Sequence, residues 1–442
     1  MYKILALWGF MIVFFAAQAQ PEFGLHFLNK TAQSSKTNPA FIAQKGLVVT
    51  LPNLYNHLEI TGPTFGELVS KNADGEYRFD IETAIDKLEA TNQIRENFDI
   101  ETVGVVFGLG GLRFQVHHAV RFGAYFEYPK ELAQLIWRGN AQFIGQTIPL
   151  DNDLQVAGFN EFGLGSSIKL SKLTLGARVK LLTGIGDASS ERNRASLHTS
   201  DDVYQLTFDA DYRANTSSYL EYNGFDDTRA DFNFGQFEFD RLFTENSGFA
   251  FDLGASLELG KLRLAASAID LGKINWSENV SNYTSNGSFT YEGLDFSDAL
   301  TGDSITIGDA LDTLAQIFEV VETSEKYSTS LPSKYYLSAA YQLNEGLLLG
   351  AAYYMEQYRD QTFSGFSLNA QASLLKWLSA GIGYGIYREN YANIGLNLLL
   401  KFGPVQLLAA SDNVLAVIQP DKSNFGNFRL GMNLVFGKQD ED

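Results

Sequence analysis

Five histidines (His26, His57, His117, His118 and His198) are the residues best suited to acid–base or metal chemistry, and their spacing supports neither. No His-Glu-x-x-His pair and no spaced ligand set occurs. Nor is there a Gly-x-Ser-x-Gly nucleophile elbow. The run Gly381-Ile382-Gly383-Tyr384-Gly385 lies in an alternating strand rather than before a helix, so it reads as strand glycine beside bulky neighbours and not as a phosphate loop. Asp209 and Asp211 share a strand face, but calcium takes about six to eight oxygens. The absence of cysteine excludes disulfides and thiolate metal sites. The sequence therefore predicts no enzyme, no cofactor and no metal site.

The elements that carry these residues are strands. With 40 glycines, 34 phenylalanines and 21 tyrosines against 9 prolines, the composition favours β structure. In VYQLTFDADY, Leu206, Phe208 and Ala210 face one way, while Gln205, Thr207, Asp209 and Asp211 face the other. In GFSLNAQASLL, Asn369 and Gln371 similarly oppose Leu368, Ala370 and Ala372. Strands with one apolar-aromatic face and one small polar face suit a barrel with lipid outside and a wet lumen inside. On that reading Gln205, Thr207, Asp209, Asp211, Asn369 and Gln371 face the lumen. Tyr353, Tyr354, Trp377 and Tyr384 lie toward strand ends, where an aromatic girdle is expected.

The amino-terminal MYKILALWGFMIVFFAAQAQ carries one cation, a short apolar run and an Ala-x-Ala exit. This is the pattern of a secretory signal peptide, which places cleavage between Ala19 and Gln20. Losing Lys3 with residues 1–19 takes the formal charge from −19 to −20. Such acidity argues against nucleic acid as a partner. Residues 20–44 are too polar for a lipid-facing strand, yet Phe23, Leu25 and Phe27 are too apolar for a free tail. Irregular backbone at membrane depth is tolerated only inside protein or along a wet cavity. The segment is therefore expected as a plug in the lumen or as a periplasmic piece against its rim, with Pro39 holding Asn38 extended at its end.

The barrel is expected over 45–437, with a periplasmic tail at 438–442 and insertions at 53–99, 129–155, 185–202, 214–247 and 275–332. Short turns on one rim and long loops on the other are the pattern of outer-membrane barrels. Parity then leaves two possibilities. If 203–213 stands outside the barrel the count is 14 strands, and if a partner hides near Ser218–Gly224 it is 16. Helices are expected within the loops, at 79–94 and after Asp309.

Four stretches carry a resemblance: Thr37-Asn38-Pro39-Ala40-Phe41, residues 252–283 (DLGASLELGKLRLAASAIDLGKINWSENVSNY), 403–420 (GPVQLLAASDNVLAVIQP) and 429–437 (RLGMNLVFG). Together they resemble an outer-membrane β-barrel family common in Bacteroidota that has no assigned role. The Asn-Pro-Ala element also resembles long-chain fatty-acid transporters and type IX secretion barrel proteins. That resemblance implies 14 strands and a plugged lumen. The last strand is similar to the insertion signal of such barrels, carried here by Arg429, Gly431, Leu434 and Phe436, and implies the barrel-assembly machinery as a partner during biogenesis. Two roles remain open in the outer membrane, among its lipids. One is a passive channel or transporter for a small, hydrophobic molecule. The other is a barrel that anchors or shuttles surface or secretion partners.

Overall fold

The computed structural model describes residues 22–28, 31–42, 46–71, 77–202, 205–218, 220–222, 228–230, 242–291, 320–387 and 390–437. Ala19, Gln20 and the tail 438–442 lie outside the described residues, as does most of the helix expected after Asp309.

Fourteen antiparallel strands close on themselves. They are β1 (Leu47–Thr50 continued by Asn53–Ile60), β2 (Thr91–Leu109), β3 (Leu112–Pro129), β4 (Asp153–Leu170), β5 (Leu173–Thr199), β6 (Ser247–Leu259) and β7 (Leu262–Trp276). There follow β8 (Ser333–Asn344), β9 (Leu347–Tyr358), β10 (Gln361–Leu375), β11 (Leu378–Tyr387), β12 (Asn390–Phe402), β13 (Val405–Ser411) and β14 (Phe425–Phe436). Each pairs with the next, and β14 closes on β1 with Leu47 opposite Phe436 and Leu54 opposite Leu430. The first strand is longer than the sequence suggested. Pro52 has no N–H to give the ladder and breaks it locally, but Asn53–Ile60 resumes pairing with β2. Residues 53–60 and 91–99, expected in an insertion, are therefore wall.

Six connections on one rim are two residues each: 110–111, 171–172, 260–261, 345–346, 376–377 and 403–404. Gly110, Gly260, Gly403 and Ser171 take φ of 61°, 64°, 57° and 55°, the left-handed geometry that tight hairpins need. The long connections all leave the opposite rim. One of them holds a helix at Ile81–Lys87, whose first turn is capped by the Asp80 carboxylate accepting from Thr83 N at 3.1 Å. The helix stops at Lys87, short of the expected 94, because Thr91 onward is recruited into β2 between two pairing partners.

The strand count turns on β5. At about 3.3 Å per residue its 27 residues far exceed what a hydrocarbon band of about 25 Å requires. Its first part pairs with β6 up to Thr183 opposite Ser247. Beyond Gly184 it parts from β6, stays on β4 as far as Ser189, and pairs on its other side with Leu206–Ser217, which pairs in turn with Val280–Tyr291 and that strand with Val321–Thr323. These strands form an apron standing on the long-loop rim. The barrel has 14 strands because Leu206–Ser217 belongs to that apron.

Outside, Val116, Leu164, Val179, Phe251, Leu253, Leu337, Leu368, Ile382, Leu398 and Leu430 are exposed around the cylinder. Such a belt on a soluble protein would be an interaction surface of unusual extent; on a closed barrel it is the lipid face. Trp377 and Phe402 stack at 5.9 Å on the short-turn rim, where a girdle sits. Tyr354 departs from the girdle expectation: its ring points inward and is fully buried.

Candidate functional site: a plugged lumen

Residues 22–28 and 31–42 run inside the barrel, and the strands around them are shaped for it. A Cβ on Gly176 of β5 would lie 2.3 Å from Pro39 C, and one on Gly254 of β6 would lie 2.0 Å from Asn38 Oδ1. Only glycine allows the backbone of the segment to approach so closely. Asn38 is extended (φ −159°, ψ 114°), and its side chain accepts from Ala40 N at 2.9 Å, which starts the turn Pro39–Phe41. Its Nδ2 donates to Ala255 O and Ala266 O at 3.3 and 3.2 Å, so this one side chain ties the segment to β6 and β7.

The first part, Phe23–Phe27, is one helical turn buried on every side. Leu25 and Leu28 pack on Leu399 and Leu408, while Phe23 and Phe27 join Tyr336, Tyr354 and Phe363. Its N–H groups at Phe23 and Gly24 donate to the Asp412 carboxylate at 3.2 and 2.9 Å. His26 lies stacked on Tyr336 and hydrogen-bonds Thr37 and Ser338 at 3.0 and 2.8 Å. It is a structural pin.

The second part is held by charge. Lys36 pairs with Asp99 and Glu101 at 3.3 and 3.1 Å. Arg178 donates to Ser35 O at 3.1 Å. Behind it runs an alternating chain: Arg178–Asp252 at 2.9 Å, Asp252–Lys180 at 2.9 Å, Lys180–Asp270 at 2.5 Å, Asp270–Arg121 at 2.9 Å, Arg121–Glu161 at 2.8 Å and Glu161–His117 at 2.9 Å. Asp270 reaches this chain through a bulge, where the β6–β7 register skips beside Asp252 and Asp270 takes φ 62°. The sequence offered a signal for this network, since Arg178 and Lys180, or Asp99 and Glu101, two apart on a strand must share a face.

The expected lumen residues divide. Asn369 and Gln371 are on the inner face of β10, with Asn369 Nδ2 bonded to Ser367 Oγ at 2.8 Å. Thr207, Asp209 and Asp211 are not in the lumen; they lie on the apron, and Gln205 precedes it. Thr207 meets Thr290 at 3.2 Å, and Asp211 pairs with Arg192 at 2.9 Å. Alternation had told that their strand has two faces but not which sheet it joins. On β14, Arg429 points inward to Glu22 at 2.5 Å, and Gly431 lies beside Asn53. Phe436 is exposed on the outer face, and Leu434 is half-buried on the same face.

Next to the plug's amino-terminal end lies a chamber of about 80 Å³. Tyr125, Phe159, Ile274, Leu331 and Tyr358 supply apolar wall, and Arg95, Arg121, Lys334 and Arg429 supply cations. Asn97 Nδ2 and Asp99 Oδ1 are buried at its edge with no hydrogen-bond partner. Such groups are normally satisfied by a protein group or an ordered water. Among the described residues, no three His, Asp or Glu side chains are placed to hold a metal ion.

Residues 39–412, most of the chain, match one family model. The chain belongs to the DUF5723 family. This is a family of unknown function. No curated protein sequence matches the DUF5723 chain. Among solved structures it is similar to the Pseudomonas putida toluene transporter TodX, at 10% identity and TM-score 0.43 over 92% of this chain and 95% of that one. It is likewise similar to the Ralstonia pickettii toluene transporter TbuX, at 10% identity and TM-score 0.43 over 92% and 93%. A FadL homologue from Pseudomonas aeruginosa matches at 11% identity and TM-score 0.42 over 92% and 94%.

Proposed function

We propose that the chain is an exported outer-membrane channel that passes a small, largely apolar molecule, with residues 22–42 as a displaceable plug. The observation that carries this reading is the chamber beside the plug. It combines aromatic wall with a few fixed charges, the kind of lining that small-molecule sites have. A barrel built only as an anchor has no need of a preformed cavity next to a segment whose packing inside the lumen is non-covalent. In this reading β14 also serves as the strand that the assembly machinery engages, through Leu434 and Phe436 on its outer face.

The test is single-channel conductance in planar bilayers of the wild-type chain and of a deletion of residues 23–36. The wild-type should be nearly closed, because helix, ion pairs and packed side chains fill the lumen. The deletion should assemble and conduct at least tenfold more. The apron favours a second reading, a barrel that presents surface partners. An assembled deletion with unaltered permeability would select it.

A further inference from the structure

The long-loop rim of the barrel is not an open ring. A closed cylinder of 14 strands, spaced about 4.8 Å apart and tilted by about 40°, measures roughly 28 Å between opposite walls. β10 stands seven places from β3 in that ring, so the two lie on opposite sides. Two extended side chains cover less than half of the gap. Yet at this rim the tip of the β9–β10 hairpin touches the far wall directly. Gln361 Nε2 donates to the Glu127 carboxylate of β3, and Gln93 Nε2 of β2 donates to Gln361 Oε1 at 2.9 Å. The Tyr358 ring meets the Tyr125 ring edge-on at 5.6 Å. The tip therefore leans inward across the mouth.

Backbone joins this tip to the wall beside it only at its base. Among the described residues, Gln361–Ser364 pair with β9 alone, since β10 meets β11 from Gly365–Tyr387 downward. On the other side β9 meets β8 no further than Gln357–Ser333. Side chains hold the rest. Arg359 occupies the turn with φ 52°, a left-handed geometry that two-residue hairpins usually give to glycine or asparagine. An arginine there brings a guanidinium to three partners on β4 and β5. It pairs with Asp153 at 2.5 Å, donates to Gln155 Oε1 at 2.9 Å and donates to Ser190 O. Tyr358 and Gln155 line the chamber, so the tip forms part of its roof.

Resting on the transport reading above, we infer that the β9–β10 tip is a flap over the outer mouth, latched by Arg359, and that it lifts to admit an apolar small molecule from outside into the chamber. The long-loop rim of such barrels is the one that faces outside. The latch is suited to release, because Arg359 and Asp153 are both partly exposed and water can replace each as the other's partner. The flap is also coupled to the plug. Further down β9 the Tyr354 ring meets the Phe23 ring at 6.4 Å, within the apolar cluster that includes Tyr125 and Phe363. Withdrawal of the plug removes packing from beneath the flap.

The chain has no cysteine, so a single introduced thiol reports access to the chamber. Ala157 of β4 lines the chamber and takes no part in the latch. In purified protein, Ala157→Cys would be labelled with a charged maleimide, alone and together with Arg359→Gly, a residue that the turn's φ favours. The Arg359→Gly protein should label about tenfold faster, as loss of a charged set of hydrogen bonds implies. Asp153→Asn keeps the shape of its side chain and should speed labelling less; it carries the test if the first variant does not assemble. Heat-modifiable gel migration checks assembly of each. Equal labelling with and without these changes overturns the flap and leaves the transport reading standing. Cells carrying wild type or Arg359→Gly would then be assayed for uptake of N-phenylnaphthylamine, an uncharged apolar probe. Uptake should rise severalfold in the variant. Unchanged uptake beside faster labelling overturns the flap as the way in. Absence of uptake by both chains overturns the transport reading, and the entry role with it.

Discussion

The two sides of the lumen differ in chemistry as well as in wall. From β2 to β7 the inner face is ionic, with Asp99, Glu101, Arg121, Glu161, Arg178, Lys180, Asp252 and Asp270 all engaged in pairs. From β10 to β14 it is largely amide, with Asn369, Gln371, Asn397, Gln406, Asn427 and Asn433 pointing in. The ionic side stands behind a continuous ladder and grips the plug from Ser35 to Ile42. The amide side stands beside the short β13 and holds Phe23–Phe27 mainly through packing, with the Asp412 carboxylate on Phe23 N and Gly24 N and the Glu22–Arg429 pair just before them. Charged hydrogen bonds contribute roughly 1.5–3 kcal/mol each and neutral ones about 1. The lesson is that the two ends of the plug are held differently, one by a connected chain of charges and the other by packing with two isolated charged contacts.

The largest effect should come from breaking the ionic side. Asp252→Ala leaves Arg178 and Lys180 buried without their shared partner, and removal of one member of a buried pair costs about 3–5 kcal/mol. Refolding into vesicles, followed in urea, should show that loss as a lower midpoint. An unchanged midpoint would mean that water enters the network freely and that the ionic side is no anchor.

Gly176→Ala should act next, and differently. The added methyl meets the Pro39–Ala40 backbone, so the fixed end of the plug is unseated while the β4–β5–β6 ladder is untouched. Conductance should rise severalfold in a barrel that still shows heat-modifiable gel migration. A closed channel would show that the plug is held from its other end.

Asp412→Ala removes the acceptor of two plug N–H groups and of Asn427, a loss of about 1–3 kcal/mol. The barrel should assemble normally, with protease cleavage around Phe23–Phe27 appearing where wild type shows none. Resistance equal to wild type would erase the proposed contrast between the two ends. Smallest of all should be Gln371→Leu. Both polar atoms of this side chain are buried without a hydrogen-bond partner, so an apolar residue of similar size should change stability by less than about 1 kcal/mol in either direction. A larger loss in the urea midpoint would reveal an amide network on that side as demanding as the ionic one.

The sequence by itself determined the barrel. Period-two alternation with apolar residues on one face requires a sheet with two unlike environments, and the run from Lys334 to Phe436 shows it in strand after strand. The same local rule made the 20–44 segment legible as something unable to face lipid. Tertiary structure decided what alternation cannot carry. It assigned Leu206–Ser217 to the apron, because a strand's faces are set by its own sequence but its neighbours are set by where β5 parts from β6. It gathered Arg121, Lys180, Asp252 and Asp270 from four strands into one chain of charges. It also ended β13 at Ser411, although the run through Ala409 and Ala410 is strand-like, because Asp412 finds the plug's N–H groups and Asn427 a better set of partners than the ladder offers. Side-chain direction is a local property of a strand, whereas partnership across a lumen is a property of the closed cylinder.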